Sequence, residues 1–307
     1  MDYTQYMKNL TSPTGKVDVI LDTDAFNEID DQFAICYLLR SRDRLNLKGL
    51  CAAPFLNENS TSPADGMEKS YNEIFKLLDL SGDEDVKSMV YRGSTDYLPD
   101  EQTPVESEAA DFMAKLANDY SPENPLYIVA IGAITNVASA YLKNPAAMKE
   151  NTVIVWLGGH ADHIHYPAKE FNMRQDIAAA RVLLASGVPF VMLPCAGVVD
   201  CFTTSRYELE HWLKGKNSLC DYLLENTIRA AEKRNAGRPW TRVIWDVTAV
   251  AWLLNDDKRF MFDELRHAII PEYDMHYAHC GSNHFFKYVY KIHRDNLFED
   301  LFKKLAN

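Results

Sequence analysis

The stretch VDVILDTDAFNEIDD, residues 17–31, decides the fold of this chain. Residues 17–21 are mostly apolar and include β-branched side chains, which predicts a buried strand. Asp30 and Asp31 then open a segment of helical period, where acidic side chains stabilise the positive end of the helix dipole. A strand, a loop and a helix in this order form the first part of a βαβ unit.

The same order recurs along the chain, because short apolar runs alternate with segments of helical period. The predicted strands are residues 17–21, 47–53, 126–131, 153–157 and 188–193, and the predicted helices are residues 30–41, 64–80, 105–119, 135–144 and 175–186. Residues 205–256 are predicted to be mainly helical, and a predicted strand at 285–290 precedes a last predicted helix at 295–306. We therefore predict an α/β fold, an open, mostly parallel sheet flanked by helices, with a helical C-terminal part.

The bulk properties limit the classes of partner. The chain carries 44 acidic and 32 basic side chains, a formal net charge of −12, and no cluster of Lys and Arg offsets this charge. Nucleic acid and anionic membranes are therefore not expected as partners, whereas a small neutral or cationic ligand fits. Without a secretory signal or an apolar run near the roughly 20 residues of a spanning helix, we expect a cytoplasmic protein. No flexible linker divides the sequence, so we expect a single domain over residues 1–307.

The first predicted loop is crowded with carboxylates. Asp22, Asp24, Glu28, Asp30 and Asp31 lie within ten residues, directly after a buried strand. Such side chains repel one another in a partly dry cleft unless a cation neutralises them. Oxygen ligands without Cys or a well-spaced His pair favour Ca²⁺ or Mg²⁺. A solvated acidic loop before a capped helix is the alternative interpretation.

Two motifs of this loop, Asp22-Thr-Asp24 and Asp30-Asp31-Gln-Phe-Ala, resemble the N-terminal motif of the inosine–uridine preferring nucleoside hydrolase family. In that family these aspartates build a calcium site that binds ribose. The resemblance implies a Rossmann-like nucleoside hydrolase fold and the same cofactor, Ca²⁺.

The turn between the two motifs differs from that family. The family's turn is shorter and contains Pro-Gly, whereas residues 25–29 of this chain form a turn two residues longer. Asn27 and Glu28 are therefore candidates either to enter the site or only to shape the turn.

Four more segments resemble the family in the same order along the chain. The motif APFLN ends at Asn57, which the resemblance makes a ribose ligand, although an asparagine in an ordinary turn is the alternative. The turn VAIGAITN contains Ile131, whose backbone carbonyl is implied as a calcium ligand. Thr135 and Asn136 in the same turn are expected to cap the following helix.

The last two segments carry the remaining implied ligands. Glu170-Phe-Asn172 resembles the family's Glu-Phe-Asn, whose polar side chains bind ribose hydroxyls. Trp245-Asp246 resembles the segment with the distal calcium ligand, here Asp246. Many members place histidine before that aspartate, and another branch, which favours purine nucleosides, has tryptophan that stacks on the base. Trp245 is thus a candidate base ligand, with core packing as the alternative.

The resemblance implies calcium-dependent hydrolysis of the N-glycosidic bond of purine ribonucleosides, giving ribose and free base in purine salvage by a homodimer or homotetramer. The implied calcium ligands are Asp24, Asp31, Asp246 and the carbonyl of Ile131. The implied substrate ligands are Asp30, Asn57, Glu170, Asn172 and Trp245. Asp24 is also the expected general base, and Asp22 is a further candidate for the site.

The acid that protonates the leaving base stays open in the sequence. Ile164 stands where the family has a further asparagine, and His163 or His165 is a candidate replacement. His160, His163, His165 and a solvent water are the candidate proton donors.

Two other functions compete with this one. A haloacid-dehalogenase-type phosphohydrolase would use Asp22 as nucleophile with Mg²⁺, but its downstream lysine and late acidic pair are not found in suitable loops. A catalytically silent nucleoside-binding or sensor protein would keep the metal and sugar ligands without an acid.

Overall fold

The computed structural model describes residues 1–164, 167 and 169–307, so the candidate His165 lies outside the described residues. The strands are β1 Val17–Thr23, β2 Leu45–Ala52, β3 Val90–Tyr91, β4 Leu126–Ala130, β5 Thr152–Leu157, β6 Phe190–Leu193, β7 Thr203–Thr204, β8 Arg242–Val243, β9 Met261–His267, β10 Ile269–Pro271, β11 Tyr277–His279 and β12 Phe285–Ile292. The helices are α1 Tyr3–Asn9, α2 Asp30–Leu39, α3 Pro63–Ser81, α4 Glu108–Leu116, α5 Thr135–Lys143, α6 Pro145–Asn151, α7 Phe171–Gln175, α8 Ile177–Ser186, α9 Arg206–Leu213, α10 Ser218–Asn235, α11 Val247–Trp252 and α12 Arg294–Ala306.

Eight strands form one sheet in the order β3-β2-β1-β4-β5-β6-β12-β9. All neighbours pair in parallel except β12 and β9, which are antiparallel. The chain moves outward from β1 in both directions, so the strand order reverses between β1 and β4. In open α/β sheets a ligand crevice forms at the carboxyl ends of the strands at such a point.

Helices cover both faces of the sheet, as the continuous apolar strands require. Along β1, Val19 and Leu21 face one buried cluster that includes Phe33 of α2, and Ile20 faces a second cluster that includes Val137 of α5. This alternation buries both faces of the strand, which is typical of parallel sheets. The predicted α/β fold with a mostly parallel, helix-flanked sheet is confirmed.

Several elements differ from the sequence prediction. The helix predicted at 175–186 begins two residues later as α8, because the side chain of Asp176 caps it by accepting from the backbone N–H of Ala179 at 2.9 Å, and the short helix α7 before it was not predicted. The edge strand β9 was not predicted, since only its first residue, Met261, is buried and its middle carries charges. Among the described helices, none combines the length and the apolar composition needed to cross a membrane.

The loop after β2 is held close to the first turn of α3. Gly66 of α3 is buried, and a Cβ atom at this position would overlap the carbonyl oxygen of Phe55. The absence of a side chain therefore permits the contact that fixes the loop leading to Asn57.

We expect Gly66→Ala to destabilise the protein, although alanine in an open helical position stabilises by up to about 1 kcal/mol. The clash with the Phe55 carbonyl should instead cost about 1–3 kcal/mol of the free energy of unfolding, measured by denaturant titration. Gly15→Ala is the matched control, because nothing lies within 4 Å of its added Cβ. Equal stability of the two variants would contradict the close packing.

Candidate active site

A pocket of about 340 Å³ opens at the carboxyl ends of β1, β4 and β5, where the strand order reverses. The sequence-predicted residues that line it are Asn27, Glu28, Asp30, Asp31, Asn57, Ile131, His160, Glu170, Asn172, Trp245 and Asp246. Asp24 and Asp22 are buried at the end of β1 and do not line the pocket surface. The five segments that resemble the family thus meet in one place.

Three buried aspartates form the centre of the site. Asp30 and Asp31 stand at the start of α2, and Asp246 immediately precedes α11, which packs against α2. One carboxylate oxygen from each lies within 4.8 Å of the others. Thr23 fixes one of them, because its hydroxyl donates to Asp31 Oδ1 at 2.6 Å. This spacing suits a single cation held by oxygen ligands.

Asp24 lies beside this trio at the end of β1. Neither of its carboxylate oxygens accepts a hydrogen bond from an N–H or hydroxyl group of another described residue. Gly132 makes room for it, because a Cβ there would come within 2.9 Å of Asp24 Oδ1. The sequence assigned the metal to Asp24, Asp31 and Asp246, but the three closely spaced carboxylates are those of Asp30, Asp31 and Asp246. Asp24 lies next to them. The role of Asp30 as a sugar ligand stays a prediction.

The electrostatics of the four carboxylates call for positive charge. Burial raises the pKa of Asp31 to about 6 and, together with the nearby Glu28, that of Asp30 to about 8. The pKa of Asp24 and that of Asp246 are raised well above the ordinary value, first by burial and then by the neighbouring carboxylates. Four such groups stay ionised together only when a cation offsets both effects.

The carbonyl of Ile131 faces the same space from the end of β4. It accepts from Asn172 Nδ2 at 3.1 Å, and the same nitrogen donates to the carbonyl of Leu157 at 3.0 Å. Asn172 therefore ties the ends of β4 and β5 together. Because both its N–H groups are used in this way, its Oδ1 atom is the group it can offer to a ligand.

Glu170 is occupied by the backbone. Its Oε1 accepts from the N–H of Asn172 at 2.8 Å, and its Oε2 accepts from Gly159 and Met173 at 2.8 and 2.9 Å. The carboxylate thus caps α7 and holds the loop after β5 against it. Its role as a ribose ligand stays a prediction. Three backbone N–H groups leave the two carboxylate oxygens with further lone pairs that a ribose hydroxyl could use.

The longer first turn is fastened to its surroundings. Asn57 Nδ2 donates to Asn27 Oδ1 at 2.5 Å, so the predicted sugar ligand is oriented by the turn itself. Glu28 accepts from Arg234 at 3.1 Å and forms a second, short ion pair with Arg242. Asn27 and Glu28 therefore do both things that the sequence left open, because each shapes the turn and each lines the pocket.

The described histidines differ in position. His160 lines the pocket, and its Nδ1 atom accepts from the N–H of Ala196 at 3.3 Å, which places the ring proton on Nε2. Burial lowers the pKa of this imidazole, so its neutral form is favoured. His163 is exposed and is not part of the pocket lining. Trp245 is half-buried and lines the pocket while also packing against the apolar cluster.

Asp22 has a supporting place beneath the site. Its Oδ1 accepts from Asn136 Nδ2 at 2.8 Å, and burial raises the pKa of its carboxyl to about 7. The expected capping by Thr135 and Asn136 is wrong: Thr135 donates to Asp176 at 2.7 Å, and the N-cap position of α5 is Ile134 without a side-chain bond. Because Asp22 is buried and does not line the pocket, it is poorly placed for the nucleophilic role that the phosphohydrolase alternative gave it.

Sequence reasoning missed the cations around the pocket. Lys169, Arg174 and Arg234 all contribute to its lining. None belongs to a motif, and Arg234 lies in a helical stretch with many similar charges. The sequence could have indicated Lys169 and Arg174 only through their position next to the Glu-Phe-Asn motif.

Comparisons with known proteins identify the family of this chain. The family model of the inosine-uridine preferring nucleoside hydrolases matches residues 19–281. An uncharacterized protein of Schizosaccharomyces pombe is 30% identical over 210 residues, 59% of this chain and 66% of that protein. A pyrimidine-specific ribonucleoside hydrolase of Escherichia coli, RihB, is 36% identical over 140 residues, 44% of each chain. The matches thus span less than two thirds of these relatives' lengths.

A solved structure resembles the whole fold. A purine-preferring ribonucleoside hydrolase from Gardnerella vaginalis superposes with a TM-score of 0.74 at 19% identity, over 94% of this chain and 98% of that one. Because the family match covers most of the chain and the acidic pocket lies where its motifs meet, this chain belongs to the inosine-uridine preferring nucleoside hydrolase family.

Proposed function

We propose that this protein is a calcium-dependent ribonucleoside hydrolase that cleaves the N-glycosidic bond of purine nucleosides to ribose and free base. The observation that carries the proposal is the set of four buried aspartates beneath a pocket of nucleoside size. In this proposal one domain spans the chain and the enzyme is cytoplasmic. The family resemblance implies a dimer or tetramer that acts in purine salvage.

The donor set fits calcium. It consists of oxygen atoms alone, and buried oxygens of Asp24 and Asp30 accept no hydrogen bond from an N–H or hydroxyl group of another described residue. Asp24, Asp31, Asp246 and the Ile131 carbonyl would hold the ion, with Asp30 at its edge. When bound, Ca²⁺ supplies the positive charge that orients ribose hydroxyls and acidifies a water molecule.

The chain's own residues supply the remaining chemistry. Asp24 accepts the proton of the attacking water, a general-base role worth about 10²–10⁴ in rate. Asp30, Asn57, Glu170 and Asn172 hold the sugar. As the anomeric carbon gains oxocarbenium character, the negative charge of the surrounding carboxylates stabilises it.

The base leaves from the side of the pocket formed by Trp245 and His160. Stacking on Trp245 orients a purine and supports a purine preference, whereas the name of the E. coli relative says pyrimidine-specific and that of the G. vaginalis structure says purine-preferring. His160 donates a hydrogen bond from Nε2 to a base nitrogen. Because its pKa is lowered, a solvent water delivers the proton itself. Because the neutral form of His160 is favoured and His165 lies outside the described residues, the described pocket offers no protonated histidine, which favours the second candidate, a nucleoside-binding protein without turnover.

The first test is release of ribose from a panel of purine and pyrimidine nucleosides, with added Ca²⁺ and after chelation. We expect calcium-dependent release, and we expect Asp24→Asn to lower kcat by about 10²–10⁴-fold because the general base is removed. Asp176→Asn, a buried aspartate outside the pocket, should keep activity. Binding of a nucleoside by calorimetry without any release would favour the silent binding protein.

The metal centre has a signature in stability as well. Without calcium, Asp246→Asn removes one of four crowded buried charges, so we expect the variant to be more stable than the native chain by about 1–3 kcal/mol. With calcium at about 100 times its Kd, the native chain should gain about 2.7 kcal/mol, and the variant should gain much less.

Asp176→Asn is the control for the predicted opposite effects of Asp246→Asn on stability without and with calcium. That carboxylate accepts from Leu98, Ala179 and Thr135, so its loss should cost about 1–3 kcal/mol with and without calcium. Thermal and denaturant unfolding measure both variants. If Asp246→Asn is less stable than the native chain in chelator, the four carboxylates do not form a charge cluster that needs a cation.

Trp245 can be tested through base selectivity. Replacing Trp245 with Ala should raise KM for purine nucleosides by about 2–10-fold more than for pyrimidine nucleosides, since a larger base loses more stacking. Trp245→Phe should restore most of the difference. Equal effects on both nucleoside classes would support the core-packing interpretation instead.

A further inference from the structure

The charges lining the pocket are paired with one exception. Glu28 and Glu58 both pair with Arg234 at 3.1 Å, and Glu28 also pairs with Arg242. Glu170 is satisfied by three backbone N–H groups. The buried aspartates form the proposed calcium site. Every acidic side chain of the lining therefore has an arginine partner, backbone N–H donors or the proposed calcium ion.

The exception is a pair of cations. Lys169 and Arg174 line the pocket and are exposed, and neither forms a salt bridge with any residue in the described part of the chain. The side-chain contact of Arg174 is the ring of Phe171, 5.3 Å from its centroid. These two cations flank Glu170 and Asn172 on α7 and the segment before it. An anion at this wall meets two donors and no acidic competitor.

We propose that this wall binds a phosphate on O5′ of the ribose, so that the preferred substrate is a nucleoside 5′-monophosphate. The inference rests on the proposed function, because the same N-glycosidic bond is cleaved at the same site. Water adds its hydroxyl to C1′ and gives its proton to Asp24, and the C1′–N bond breaks with its electron pair going to the base. The base takes one proton from solvent, and Asp24 returns one to solvent. The products are free base and ribose 5-phosphate, and the phosphate ester is unchanged.

The shape of a β-nucleoside supports this orientation. O2′ and O3′ project from the face of the ribose opposite to the base and C5′, so hydroxyls directed to the buried aspartates leave O5′ pointing toward the pocket mouth. The mouth carries the exposed Lys169 and Arg174, whereas Trp245, the proposed base ligand, comes from a different element at the start of α11. Arg binds phosphate oxygens in a bidentate manner and Lys adds a point charge, so a dianion gains from both.

The test compares kcat/KM for inosine and for inosine 5′-monophosphate, with uridine and uridine 5′-monophosphate as a second pair, in the presence of Ca²⁺. Release of free base measures all four reactions. We expect each monophosphate to exceed its nucleoside by about tenfold or more. The double variant Lys169→Gln, Arg174→Gln should lower this ratio by about tenfold.

The matched control removes two positive charges elsewhere. Lys214 and Lys216 are exposed and lie outside the pocket, so Lys214→Gln, Lys216→Gln should leave the ratio of monophosphate to nucleoside as in the native chain. As a measurement without variants, ribose 5-phosphate should inhibit the native enzyme at about one tenth of the concentration needed with ribose.

The outcomes separate the two proposals. If nucleosides are hydrolysed and the monophosphates have equal or lower kcat/KM, the phosphate site is wrong and the hydrolase function stands. The same holds if both double variants change the ratio of monophosphate to nucleoside by the same factor. Release of base from none of the four compounds overturns the hydrolase function itself, and the phosphate site with it.

Discussion

The rest of the active site depends on one electrostatic constraint, the burial of four neighbouring carboxylates, three of which offer oxygens within 4.8 Å of one another. Asp30 and Asp31 begin α2, Asp246 precedes α11 and Asp24 follows β1, so three separate elements must meet for the cluster to exist. Burial and mutual repulsion both disfavour the ionised forms, and a divalent cation reverses both effects. The packing of α11 on α2 is therefore as much a part of the metal centre as the ligands are.

The scaffold also determines which polar atoms stay available. Glu170 accepts from the backbone N–H of Gly159 after β5, and Asn172 donates to the carbonyl of Ile131 after β4. Asn136 donates to the carboxylate of Asp22 and to the carbonyl of Ala52. These contacts satisfy backbone groups that a buried loop would otherwise leave unpaired. Buried oxygens left without such donors belong to Asp22, Asp24 and Asp30, and those of Asp24 and Asp30 are the ones proposed to face the cation.

Local pattern was enough to predict the sheet and the acidic loop, because strand and helix periods and the aspartates between them lie within a few residues of sequence. Long-range pairing leaves no such pattern. Glu28 meets Arg234 and Arg242 across 206 and 214 residues, so the sequence left its role open between two alternatives. The edge strand β9 was missed for a related reason, since an exposed strand needs no apolar run and its partner β12 begins 18 residues after β9 ends.

The net charge of the chain and the charge of its pocket lead to different expectations about the ligand. A net charge of −12 disfavours polyanions at long range, yet exposed charges beyond about 8–10 Å are screened at physiological salt. Within that distance, the ion pairs around the pocket determine which ligand charge is favoured. Because Arg234 and Arg242 neutralise the acidic turn while Lys169 and Arg174 have no acidic partner among the described residues, a small anion meets net positive charge at one wall of an acidic protein.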